Sequence, residues 1–196
     1  ASGRCAPSWR KAPVTSTLDG RSMTSTIHTH NSSYREILIE HLLVGEIMRR
    51  LWLQGIAQFE VLKPQVDDSG YDLVIEANGV VRHIQLKSSF ESAATAQVKA
   101  SLKLALKPSA CVIWVRFDPT TMELGPFLWF GGKPGKPIPD IEAFLVARHT
   151  RANAQGKKME RPNQRTIPRS KFEKLATYED LVQRLFGEFK VVPNAV

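Results

Sequence analysis

Cysteine is scarce in this 196-residue chain, with only Cys5 and Cys111, too few for a disulfide framework. Long apolar runs are missing too: none approaches the ~20 residues that a membrane-spanning helix needs. The first residues lack the basic-then-apolar layout of a secretory leader. Secretion therefore has no support, and a reducing, cytoplasmic setting is the expectation. Acids are outnumbered, with 19 Asp and Glu against 27 Lys and Arg, a net charge of +8 and a pI near 9.7. A soluble chain this basic often meets a polyanion, and nucleic acid is the commonest one. No internal repeat is visible.

At 42% hydrophobic and 23% charged residues the chain reads as globular, large enough for one well-cored domain and an appended subregion. Residues 1–32, rich in Ser, Thr, Pro and Arg and without apolar period, read as a flexible basic tail. His28 and His30 form an H-x-H inside it, but no further ligand is near enough to complete a metal site. "SYREILIEHLLVGEIMRRLWLQG" then reads as a long helix opened by Ser33 and closed by Gly55, apolar nearly all round and so expected to be buried on more than one side. "AQFEVLK" (57–63) is a strand ended by Pro64. Strands over 71–77 and 80–87 flank Asn78-Gly79, the strongest short hairpin signal, because both central turn residues need positive φ. "ESAATAQVKASLKLALK" (91–107) is expected as a helix stopped by Pro108. "ACVIWVRF" (110–117) is a buried strand, and "MELGPFLWF" (122–130) a further one. The remainder is expected to hold a helix near 140–149, a basic loop to about Ile167, and one or two helices ending at Gly187. Residues 33–130 thus form the core, with 131–196 as a basic loop and C-terminal helices packed on it.

The hairpin carries the chemistry. With Asn78-Gly79 as a two-residue loop, cross-strand partners sum to 157, which sets Asp72 opposite Gln85 with Cβ atoms roughly 4.5–5.5 Å apart. Alternation puts Lys87 on the face of Gln85. That face reads Asp72, Val74, Glu76, Val81, His83, Gln85, Lys87; the other, largely apolar, reads Leu73, Ile75, Ala77, Val80, Arg82, Ile84, Leu86. An ordinary antiparallel hairpin with one wet face has the same alternation, so the residues alone leave both readings open.

Glu46 in a helix, then "GYD", then "QLK", in an α-β-β-β-α-β order, resembles the PD-(D/E)xK nuclease superfamily, which includes many restriction endonucleases and Holliday-junction resolvases. The resemblance covers roughly residues 36–117. It implies an α/β fold: a restriction-endonuclease-like αβββαβ core whose mixed central sheet is flanked by helices, with a C-terminal helical extension. By that resemblance Asp72 matches the metal-binding Asp, Lys87 the Lys of the motif, and Glu46 the helical Glu. Gln85 stands where most members have an acid, making this a QxK variant. Mg²⁺ (or Mn²⁺) is the implied cofactor, held by Asp72, Glu46, the Gln85 amide oxygen and the Leu86 carbonyl, since Mg²⁺ takes oxygen ligands and keeps several waters. The implied activity is endonucleolytic hydrolysis of DNA, with a non-catalytic binding module of the same fold or an RNA-cleaving enzyme as alternatives.

Glu46 also has a plain explanation in an i,i+4 pair with Arg50, worth about 0.2–0.5 kcal/mol, with Glu40 as the fallback acid. Ser88 and Ser89 are expected to cap the following helix, and Ser88 to reach a phosphate. Lys99, Lys103 and Lys107 recur every fourth residue as a basic stripe on that helix, a phosphate-tracking surface or a solvated face. Arg151, Lys157, Lys158, Arg161 and Arg165 stud a turn-rich segment that either orders on nucleic acid or is a solvated excursion. The partner implied is nucleic acid, DNA first, with no membrane. A homodimer is compatible with the need to cut two strands.

Overall fold

The computed structural model describes residues 27–66 and 68–189; Cys5 and residues 1–26 of the expected tail lie outside the described residues. Residues 27–30 form a helical turn. His28 within it is 8% exposed, its Nε2 is 2.8 Å from the Pro119 carbonyl oxygen, and its ring meets Phe90 edge-on at 5.1 Å. It anchors the turn rather than serving an H-x-H chelate.

Helix α1 (Ser32–Leu53) buries Ile39, Leu43, Ile47 and Leu51, a single stripe at every fourth residue. The expected burial on further sides is absent: Ile37, Leu42, Met48, Trp52 and Leu53 are all exposed, Trp52 at 71%. The helix stops where Gly55 takes φ +77, letting its N–H bond Trp52 O and the Ile56 N–H bond Leu51 O, carbonyls that helix ends otherwise leave unpaired.

Strands β1 (Phe59–Leu62), β2 (Leu73–Ala77), β3 (Val80–Phe90), β5 (Ala110–Phe117), β6 (Leu124–Gly131) and β9 (Glu173–Leu175) form one sheet in the order β1-β2-β3-β5-β6-β9. Only β3 and β5 run parallel among its pairs, so the sheet is mixed. The β2–β3 turn is Asn78-Gly79, both at positive φ, and the register runs from Leu73↔Ile84 to Ala77↔Val80, as the Asn-Gly turn dictates.

The helix expected over 91–107 is not there. The β3–β5 crossover instead holds β4 (Gln97–Ser101) and a 3₁₀ turn (Leu102–Leu106) capped by the Ser101 hydroxyl, which accepts the Lys103 N–H. β4 pairs with β8 (Glu160–Pro168), which also pairs with β7 (Val146–Arg148), forming a second, three-stranded sheet. The helix expected near 140–149 and the loop to Ile167 are thus a β-hairpin. A single C-terminal helix follows, α2 (Tyr178–Phe186). It opens on a capping box in which the Thr177 hydroxyl accepts the Asp180 N–H and Asp180 accepts the Thr177 N–H, and it ends at Gly187.

Two cores share the main sheet. On one face α1 and α2 pack on Leu73, Ile75, Ile84, Ile113, Val115 and Trp129; on the other, Ala100, Leu104, Ile141, Ile167 and Phe172 pack on Val112, Trp114, Leu128 and Phe130. Arg82 sits fully buried on the apolar face of β3. Its Nε donates to Leu185 O at 2.7 Å, its Nη2 to Arg184 O at 3.0 Å and to Gly132 O at 3.2 Å, and its guanidinium lies over Trp129. Burial pushes its pKa below the usual guanidinium value. The carbonyls it caps belong largely to the negative end of the α2 dipole. No helix of the described residues is long and apolar enough to cross a membrane.

Candidate active site

Asp72 comes just before β2, after a turn in which Gly70 has φ +80. Its own N–H donates to Ile84 O at 2.9 Å, and its Oδ2 accepts the Leu86 N–H at 2.6 Å. The carboxylate thus continues the ladder one step beyond the last paired residue of β2. Past that point β3 runs on through Leu86–Phe90 with β5 beside it and no β2 partner. The space beside this free edge is a cleft of about 440 Å³, lined by Asp72, Leu86, Lys87 and Ser88 and, from α1, by Ser33, Arg35, Glu36, Ile37, Ile39 and Glu40.

Gln85 stands one residue beyond the Leu73↔Ile84 pair, where the β2–β3 register ends; the Asp72 N–H bonds Ile84 O rather than Gln85. Gln85 is 9% exposed, and its Oε1 accepts the Ser101 N–H of β4 at 3.2 Å. An amide oxygen has two lone pairs, so one acceptor direction remains. Asp72, Leu86, Lys87 and Ser88 are therefore brought together, with Gln85 adjoining them.

Glu46 is not. It lines a different groove, of about 960 Å³, with Leu38, Leu42, Glu91, Asp118 and Tyr178. Its carboxylate is held by Arg49 at 2.6 and 2.8 Å and by Arg50 at 2.8 Å, and Arg50 also bonds Glu179 of α2. The hydrogen bond from Arg49 is the largest cause holding its pKa at about 2, with burial opposing and Arg50 adding to it. The acids that α1 offers the cleft are Glu36 and Glu40, four residues apart on one face; Glu40 is paired with Lys63 at 2.5 Å. Glu36 was missed in the sequence, although its i,i+4 spacing to Glu40 was readable. Six residues at 100° each set Glu40 and Glu46 about 120° apart around the helix, so the two cannot face one cleft.

The expected lysine stripe dissolves with the helix that carried it. Lys99 donates to Arg148 O at 2.6 Å, Lys103 pairs with Asp68 at 2.5 Å, and Lys107 lies over the Tyr71 ring. His83 meets Tyr71 edge-on, and burial, helped by Lys107, lowers its pKa. Ser88 lines the cleft without capping a helix. Ser89 accepts from Trp114 Nε1 and Arg116 Nη1, both at 2.7 Å. Arg151, Lys157 and Lys158 lie in the exposed turn between β7 and β8, and Arg161 and Arg165 on β8. Among the described residues no three His, Cys, Asp or Glu side chains are grouped so as to hold a metal ion.

No family model matches the chain, and no curated protein does. Among solved structures it is similar to a bacterial homing endonuclease, I-Ssp6803I, at 23% identity and a TM-score of 0.24, over 48% of this chain and 61% of that one. The chain thus spans less than two thirds of that protein, and at such an overlap the likeness decides neither fold nor function.

Proposed function

We propose that the chain is a Mg²⁺-dependent (or Mn²⁺-dependent) endonuclease that hydrolyses DNA phosphodiester bonds in the Asp72–Lys87 cleft. The observation supporting this most is the Asp72 carboxylate fixed on the Leu86 N–H, at the mouth of a cleft that Lys87 and Ser88 also line. The donors suit a hard cation: the Asp72 carboxylate, the free acceptor direction of Gln85, the Leu86 carbonyl, and Glu36 or Glu40 across the cleft. When bound, such a cation stabilises the charge that phosphodiester hydrolysis adds and acidifies a water molecule. Lys87 holds the phosphate by charge, and Ser88 offers it a hydroxyl donor. The Leu86 N–H keeps Asp72 oriented, and Lys63 does the same for Glu40. Two strands require two cuts, which a pair of copies can supply.

The test is cleavage of supercoiled plasmid with Mg²⁺ or Mn²⁺ and with EDTA. Asp72→Ala and Lys87→Ala are expected to lose at least about a hundredfold in rate, with unchanged circular dichroism; full activity in either overturns the assignment. Gln85 in place of an acid, and the absence among the described residues of three acids grouped to hold a metal ion, favour a second reading, a nucleic-acid-binding module without catalysis. Plasmid retention on a gel with no metal-dependent cutting selects it, and competition between DNA and RNA at matched salt identifies an RNA substrate.

A further inference from the structure

Residues 148–160 are exposed without a break, yet hydrogen bonds tie the segment to itself. His149 N–H bonds Met159 O at 2.8 Å, Asn153 N–H bonds Lys157 O at 3.0 Å, and Asn153 Oδ1 accepts from the Gln155 and Lys157 N–H groups. Gly156, at φ +72, supplies the left-handed residue of the turn. Residues 149–159 are the loop at the tip of the β7–β8 hairpin, a two-stranded ribbon rooted through the buried Ala147 and Ile167. From 148 to 165 the sequence sets six Lys and Arg against one acid, Glu160. Arg148 pairs with Glu160 at 3.4 Å, and Arg161 and Arg165 bond neighbouring groups. Arg151, Lys157 and Lys158 have no side-chain partner among the described residues. A tip whose apolar side chains are all exposed adds little to folding, so its composition answers to something outside the chain.

We propose that this ribbon enters the major groove of duplex DNA tip first and sets which sequences are engaged, an inference that takes its ligand from the nuclease reading of the Asp72 cleft. A two-stranded ribbon fits the major groove of B-form DNA, about 12 Å wide, whereas that of A-form RNA is too deep and narrow. The segment has no Phe, Tyr or Trp, the stacking platforms of single-strand binders. Arg151, Lys157 and Lys158 match the phosphates flanking the groove, and Gln155 at the tip carries the amide that pairs with adenine N6 and N7. Its root is tied to the site. Lys99 Nζ holds Arg148 O, β8 pairs with β4, and the Ser101 N–H of β4 bonds Gln85.

The experiment uses the full chain in EDTA with duplex DNA, single-stranded DNA and duplex RNA at matched salt. Duplex DNA is expected to bind at least about tenfold tighter than either competitor. The triple variant Arg151→Ala, Lys157→Ala, Lys158→Ala should lose about 10- to 100-fold in duplex affinity and flatten the log–log salt slope by about one per cation removed. Lys157→Arg with Lys158→Arg should keep both. Gln155→Ala should change the sequences selected from a randomised duplex pool. Unchanged affinity and slope in the triple variant, or equal binding of duplex RNA, overturns the proposal. Plasmid cutting is scored separately. A chain that binds duplex through the ribbon yet never cuts removes the nuclease reading alone. Metal-dependent cutting with a triple variant that binds unchanged removes the ribbon alone.

Discussion

Glu40 and Glu46 share a helix and meet different surroundings. Glu40 looks into the Asp72 cleft, while Glu46 ties Arg49 and Arg50, and through Arg50 the second helix. The folded-state pKa of Glu46, about 2 against an ordinary 4.5, makes its stabilisation fully present above about pH 4.5. It is lost as pH falls through 2. Glu46→Gln is therefore expected to lower the melting temperature by a few degrees at pH 7. The gap to the unaltered chain should close between about pH 4.5 and 2 in thermal melts followed by circular dichroism, and DNA cleavage should persist. At this scale the sequence was informative where a local turn fixed geometry: Asn78-Gly79 set the β2–β3 register from Ala77↔Val80 to Leu73↔Ile84 with no tertiary knowledge. It misled on α1, because "LLVGEI" says nothing about which side of the helix meets the cleft.

Among the elements, β4 is where reading by pattern failed. "QVKASLKLAL" satisfies a helical period, but Val98 pairs across to Ile167 and Ala100 to Arg165 on β8. That partner strand lies more than sixty residues away and is invisible to a local window. Strands β1, β2, β3, β5 and β6 of the main sheet were legible because each is bounded by its own turn, and the end of α2 because Gly187 marks it; β9 falls where only helices were expected. β4 touches the site at a narrow point: a Cβ on Gly70 would fall 2.5 Å from Ser101 Oγ, at a φ of +80. Gly70→Ala should cost about 1–3 kcal/mol in urea unfolding, from left-handed strain plus the clash. It should also slow cleavage, since Ser101 orients Gln85. Adding Ser101→Gly should recover part of the loss by removing the clash, while the strain stays.

Across the whole molecule, Arg82 joins three regions that the chain visits far apart: β3, the β6 exit at Gly132, and the end of α2. In the hairpin it occupies an apolar-face position, and nothing local marks it as a clamp. Arg82→Met keeps most of the volume and leaves the buried Leu185 carbonyl and the half-buried Arg184 and Gly132 carbonyls without that donor. The expected loss is about 2–4 kcal/mol by chemical denaturation, with earlier proteolysis near α2. β5 has a wider reach, being buried at every residue with Cys111, Ile113 and Val115 in one core and Val112 and Trp114 in the other. Neither core can open without stripping a side of this one strand, so the two layers are expected to melt as a single cooperative unit. The site strand β3 is bonded along β5, so hydrogen exchange is expected to show the amides of β3 beside the cleft opening together with those of β5.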